Sequence, residues 1–251
     1  MQKSASLSGH ENPPFLHILG CGHTGSSILA RVLGEHSKVY LVPIEIGMHL
    51  ANRYFEENEH RNRLSAEAIK YGANIILEKT PRHIWHQDYI RRKYPGTRFI
   101  VTTRDGREVI ASLYERYGDW HASCTRYLDD SILSLRQLNM PDTQVVRYED
   151  FVISPLAVVE KIYLWLNLPL ETNVLDYHQN PLEWNLSNPY QADGLPSEHD
   201  LKRNLQVNSK LQPLNYKWHA RVPANLHSSM NALFSGNGYG RRIMQEFGYE
   251  I

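Results

Sequence analysis

Between Ile18 and Leu29 the glycines Gly20, Gly22 and Gly25 separate an apolar run from a helix start carrying two adjacent hydroxyls, Ser26 and Ser27. Glycines let a backbone approach a ligand closely, and the free N–H groups of a helix N-terminus point at an anion. The chemistry suited to this layout is phosphate binding. A Walker A loop would also need a lysine between its second glycine and the Ser/Thr, and Ser26 occupies that place. The stretch therefore reads as a cradle for a nucleotide phosphate held without the P-loop lysine. An ordinary βα turn is the alternative.

A second anion site lies in the segment 99–112. Arg104 follows the β-branched and aromatic run Arg98–Thr103, and Ser112 lies about two turns down the next helix. Open α/β sheets bind ligands beyond the carboxyl ends of their strands, and a guanidinium there is a fork-shaped donor for phosphate. Arg104 with Asp105 could equally be a structural ion pair.

The elements that would position these groups alternate. Strands are expected at Phe15–Gly20, 39–42, 74–77, Arg98–Thr103 and Thr143–Arg147. Helices are expected at Ser26–Leu33, 46–57, 65–71, 81–93, Gly106–Tyr117, 121–138, 155–165 and 224–234. Strands spaced by helices predict an α/β fold with a central, mainly parallel sheet flanked on both faces. Residues 1–14 read as a loose tail and 15–251 as a single domain. Within it, 171–214 is rich in proline, asparagine and polar residues and reads as an irregular substrate-side loop or lid.

The 251 residues carry no formal net charge, which argues against a general polyanion or nucleic-acid binder. The two cysteines, Cys21 and Cys124, cannot build a disulfide framework and are expected to be free thiols in a reducing compartment. No stretch has the length of a membrane span. A cytoplasmic protein is expected on these grounds.

Taken together, the segments closely resemble the sulfotransferases that use 3′-phosphoadenosine 5′-phosphosulfate (PAPS). Gly22, His23, Thr24, Gly25, Ser26 and Ser27 resemble their 5′-phosphosulfate loop, and Arg104 and Ser112 their 3′-phosphate site. The run 146–152, with Arg147, Tyr148, Glu149 and Asp150, followed by Pro155 and 161–166, resembles the next segment of the family. With His36, that run places the resemblance nearest the carbohydrate and tyrosylprotein branch. It covers 15–170 in order and, weakly, the C-terminus.

The resemblance implies a metal-independent sulfuryl transfer from PAPS to a hydroxyl acceptor: a carbohydrate, a tyrosyl peptide or a small molecule. Backbone N–H groups from Thr24 to Ser27 would hold the 5′-phosphate, and Tyr148, Ser209 and Lys210 would add cofactor contacts. Lys79 would contact the transferring group, with a strand-end lysine extended to solvent as the alternative. Glu45 would be the base; a helix-start acid is the alternative. His23 departs from the family, which has Lys or Arg there, so activity is expected to fall as this imidazole deprotonates.

His83 is a further candidate for the base. His83 and His86, three residues apart, would permit a metal site, but no carboxylate or cysteine partner is evident beside them, and packing at a helix–sheet boundary is their expected role. Two rival functions share the scaffold: a small-molecule kinase or related P-loop enzyme, and a non-catalytic binder of the nucleotide.

Overall fold

The computed structural model describes residues 12–46, 58–184, 186 and 197–250. Residues 1–11 of the expected tail over 1–14, residues 47–57 of the expected helix over 46–57, and most of 185–196 lie outside the described residues.

The first strand, β1 (Phe15–Gly20), is buried along its whole length. Leu16 and Ile18 enter one core cluster, while Phe15 and Leu19 enter another. This is the two-faced burial of a central strand between helical layers. The other strands are β2 (Val39–Leu41), β3 (Ile75–Lys79), β4 (Arg98–Thr103) and β5 (Thr143–Arg147), ordered β2-β3-β1-β4-β5 with every pairing parallel. The expected α/β architecture is present. From β1 the chain goes to the edge strand β2 and returns to β3 beside β1, then crosses to β4 on the other side of β1 and moves outward to β5. Neighbouring connections therefore diverge between β1 and β4, opening the crevice in which such sheets bind ligands.

The helices between these strands are α1 (Ser26–Leu33), α2 (Asn58–Tyr71), α3 (Gln87–Lys93), α4 (Gly106–Tyr117) and α5 (Trp120–Leu135). The expected helix over 81–93 is in fact a 3₁₀ turn, Pro81–Trp85, broken from α3 at His86. After β5 come α6 (Tyr148–Ile153) and α7 (Pro155–Leu166). The segment 171–214, read above as irregular, holds a 3₁₀ helix at Thr172–Gln179 and α8 (Glu198–Val207), whose start is closed by a capping box between Ser197 and Asp200. Charged residues on α8 hid its helical period. Three short helices end the fold: α9 (Trp218–Arg221), α10 (His227–Phe234) and α11 (Tyr239–Glu246). Among the described residues no helix is long and apolar enough to cross a membrane.

Candidate active site

The loop after β1 forms the floor of the site. Gly25 is the N-cap of α1 at φ 82°, and a Cβ there would stand 2.3 Å from the Tyr148 ring. Only glycine satisfies both the left-handed backbone and the close approach. His23 is also left-handed at φ 69°, a region histidine enters more readily than most residues. Thr24 is buried and holds the turn from beneath: its Oγ1 donates to the Cys21 carbonyl at 2.8 Å and lies 2.7 Å from Thr102 Oγ1 on β4.

Two cavities open on this loop. The larger, about 590 Å³, takes in His23, Gly25, Ser27, Arg104, Ser112, Tyr148 and Lys210 among its walls. The structure thus brings both sequence-predicted anion sites into one cavity. Arg104 stacks on Tyr148, with its Cζ 4.6 Å from the ring centroid. The side chain of His23 is turned toward α4, with Nδ1 2.7 Å from Ser112 Oγ. Ser209 is not part of the wall; its Oγ donates to the Leu205 carbonyl at 2.8 Å.

Sequence reasoning missed four cations of this cavity: Arg116, Lys202, Arg203 and Arg221. Arg116 was findable, since it lies four residues after Ser112 on the same face of α4. Lys202 and Arg203 stand on the unrecognised α8. With Arg104 and Lys210 they oppose two wall carboxylates, Glu115 and Glu198, both already paired, to Arg221 (2.9 Å) and Lys202 (2.7 Å). A strongly anionic ligand fits such a wall.

Glu108, 1% exposed, organises one side of the cavity. It accepts from the backbone N–H groups of Lys217 (2.6 Å) and Trp218 (2.8 Å), and lies 3.4 Å from Arg221 Nη1 and 3.5 Å from Arg104 Nη2. Charge-assisted bonds from a carboxylate to backbone donors are each worth more than neutral ones. Glu108→Gln is expected to lower stability by about 1–3 kcal/mol, read from the urea midpoint.

The second cavity, about 310 Å³, lies on the other side of the loop and includes Gly22, Ser26, Glu45, Arg126 and Trp184. His23, Ser27, Arg116 and Arg203 line both cavities. Lys79, at the end of β3, is fully buried, not extended to solvent. Its ammonium donates to Glu45 Oε1 and sits 5.0 Å from the centroid of the Trp184 ring. Burial pushes the Lys79 ammonium below the ordinary lysine range, against the pull of Glu45. Burial would raise the Glu45 carboxyl, but the Lys79 charge holds it below the ordinary carboxylate value. Glu45 is 39% exposed and reaches the cavity as a carboxylate.

His83 lines neither of these cavities. The absence of a carboxylate partner read from sequence is corrected by the fold. Glu78 Oε2 lies 3.0 Å from His83 Nδ1 and 2.9 Å from His17 Nδ1 on β1, all three groups being buried. Burial alone would raise the Glu78 carboxyl, yet the two imidazoles hold it well below the usual range. His36 is likewise structural, with Nε2 3.0 Å from the Pro169 carbonyl. Glu149 accepts from the Asp105 N–H at 3.0 Å and from the Tyr249 hydroxyl at 2.8 Å, so the C-terminus braces the turn before α4. Burial pushes the Cys21 thiol well up, and the Cys124 thiol up to about 11.

A parallel sheet with its switch point at β1 and β4, a glycine-rich loop there and a cation-lined cavity together define an α/β protein with a site for an anionic ligand. Residues 47–172, half of the chain, match the profile described as the sulfotransferase family, and the chain belongs to that family. It is similar to the nodulation protein NoeE of Sinorhizobium fredii, with 24% identity over 60% of this chain and 49% of that protein. The chain thus spans about half the length of this curated relative.

Among solved structures, the sulfotransferase domain of the Synechococcus PCC 7002 olefin synthase superposes with a TM-score of 0.62 at 18% identity, over 99% of this chain and 100% of that one. The sulfotransferase domain from the curacin biosynthetic pathway gives 0.55 at 16%, over 95% and 99%. A mouse sulfotransferase complexed with PAP gives 0.55 at 13%, over 94% and 90%. At these identities the likeness is one of fold.

Proposed function

We propose that this chain transfers the sulfuryl group of PAPS to a hydroxyl acceptor, without a metal. The observation that carries this reading is the meeting of the two cavities at His23, Ser27, Arg116 and Arg203. One cavity is lined by cations, with residues of both expected anion sites among its walls, and the other holds Glu45, which pairs with Lys79. The presence of PAP in the mouse relative supports the choice of nucleotide.

The residues present fit such a donor. Arg104 and Ser112 would hold the 3′-phosphate, which carries about −1.5 to −2 charges at neutral pH, and Tyr148 would fix the Arg104 plane. The N–H groups from Thr24 to Ser27, with the Ser26 and Ser27 hydroxyls, would hold the 5′ end. The donor supplies an activated sulfuryl group whose leaving group is the 5′-phosphate. Glu45 would take the acceptor's proton, and the Lys79 ammonium would neutralise charge on the transferring oxygens. Trp184, packed over that ammonium, would keep water from it. Lys210 and Arg203, from the segment 197–212, would add to the cation wall around the donor, and Arg203 would also face the acceptor's cavity.

Titration calorimetry tests this. Adenosine 3′,5′-bisphosphate (PAP) is expected to bind equally with and without magnesium, and Arg104→Ala to weaken it about 10–100-fold. ATP is expected to bind weakly. Magnesium-dependent ATP binding, or PAP binding indifferent to Arg104, would overturn the reading in favour of kinase-like chemistry.

A further inference from the structure

The phosphate loop, residues 20–27, contains neither lysine nor arginine. His23, the one titratable base within it, is turned toward Ser112 on α4. A phosphosulfate seated there would receive only backbone and hydroxyl donors from the loop, with no permanent charge. The fold brings one from elsewhere. The guanidinium of Arg126, on α5, lies against the loop at Gly22: a Cβ built on that glycine would stand 3.0 Å from Arg126 Nη2 and 3.7 Å from its Cζ. Arg126 shares the second cavity's wall with Gly22, Ser26, Ser27 and Glu45.

The side chain is held in place there. Nε lies 3.4 Å from Asp130 Oδ2 and Nη1 donates to the Tyr117 hydroxyl. Asp130 is itself 1% exposed and is fixed by the Trp85 indole N–H at 2.6 Å. Such a network orients the guanidinium fork, and the closeness of Nη2 to Gly22 points that fork at the loop. An arginine keeps its charge throughout the working pH range.

We propose that Arg126 supplies, from α5, the permanent positive charge that the loop itself lacks, and that its ligand is the 5′-phosphosulfate end of the donor. This rests on the sulfuryl-transfer reading above. In that role Arg126 would neutralise charge as the acceptor oxygen bonds to sulfur and the bond between sulfur and the 5′-phosphate oxygen breaks, its electron pair passing to the phosphate. The proton released by the acceptor hydroxyl goes to Glu45. The pH-dependent loss of rate expected from His23 alone then has no cause in the wild type.

The test compares two probes, PAP and adenosine 3′-monophosphate, which lacks the 5′ group. Arg126→Gln is expected to weaken PAP by about 10–30-fold and to leave adenosine 3′-monophosphate unchanged. Arg126→Lys should retain most of the PAP affinity. Adding His23→Lys to Arg126→Gln should restore part of it, because the charge returns from the loop side. Equal losses for both probes, no loss, or no restoration by His23→Lys would overturn the proposal. So would an effect confined to the Michaelis constant of an acceptor, which would assign Arg126 to that substrate. PAP failing to bind the wild type would instead overturn the donor reading itself.

Discussion

Lys79→Met is expected to lower the turnover number for sulfuryl transfer by about 10²–10³-fold, the usual loss when one preorganised transition-state donor is removed. PAP affinity should change little, because the ammonium faces Glu45 and Trp184 in the second cavity and not the 3′-phosphate wall. A fall in turnover without a fall in affinity marks an interaction made only in the transition state.

The pH profile provides a separate check. Glu45 is held below the ordinary carboxylate value of 4.5 by its Lys79 partner. Activity that needs the Glu45 carboxylate is present above that depressed value and lost as pH falls through it. In Lys79→Met the partner charge is gone, so the acid limb should move to higher pH. On the alkaline side, the wild type should lose rate below the ordinary lysine value of 10.5, because burial lowers the Lys79 ammonium. An acid limb that stays put in the variant would show that the pair does not govern Glu45.

Among the described glycines, Gly25 combines the shortest contact for an added Cβ with a left-handed backbone, so Gly25→Ala should unsettle the cradle. The left-handed backbone at φ 82° disfavours an L side chain by about 1–2 kcal/mol. Forcing a Cβ to within 2.3 Å of the Tyr148 ring adds about 1–3 kcal/mol of overpacking. A loss of about 2–5 kcal/mol is expected from these two effects, measurable by chemical denaturation, together with loss of PAP binding. Adding Tyr148→Ala should return the steric part of the stability. It should not return the binding, because Arg104 loses the ring on which it stacks. Recovery of binding in the double variant would mean that Tyr148 only fills space.

How much of this was legible in the sequence depends on how far apart the interacting residues lie. The placement of the glycine-rich loop and of Arg104 and Ser112 could be read because each is a local pattern, a strand end followed by a helix start, that survives without the rest of the fold. The pairing of Lys79 with Glu45 joins residues 34 positions apart, and no periodicity announces it; only the resemblance placed both near the chemistry. His83 misled because its partner, Glu78, lies across the end of β3, and the second imidazole, His17, is 61 positions from that carboxylate. Arg203 and Trp184 fall in the segment whose polar composition disguised α8. Arg126 has no sequence signal at all, since the helix that carries it meets the loop through tertiary packing alone.

Lys79 and the phosphate loop belong to neighbouring strands of one sheet, with Lys79 in register with Ile18, two residues before Gly20. The spacing between adjacent strands is about 4.8 Å in any sheet. The offset between the buried charge and the glycine-rich loop is therefore a lattice constant of the sheet, set by backbone hydrogen bonds and indifferent to most side-chain changes. Trp184 and Arg203, which line the second cavity, hang instead on separate stretches of chain after α7. An enzyme divided this way can exchange acceptors by redrawing one wall while the reacting geometry is inherited unchanged.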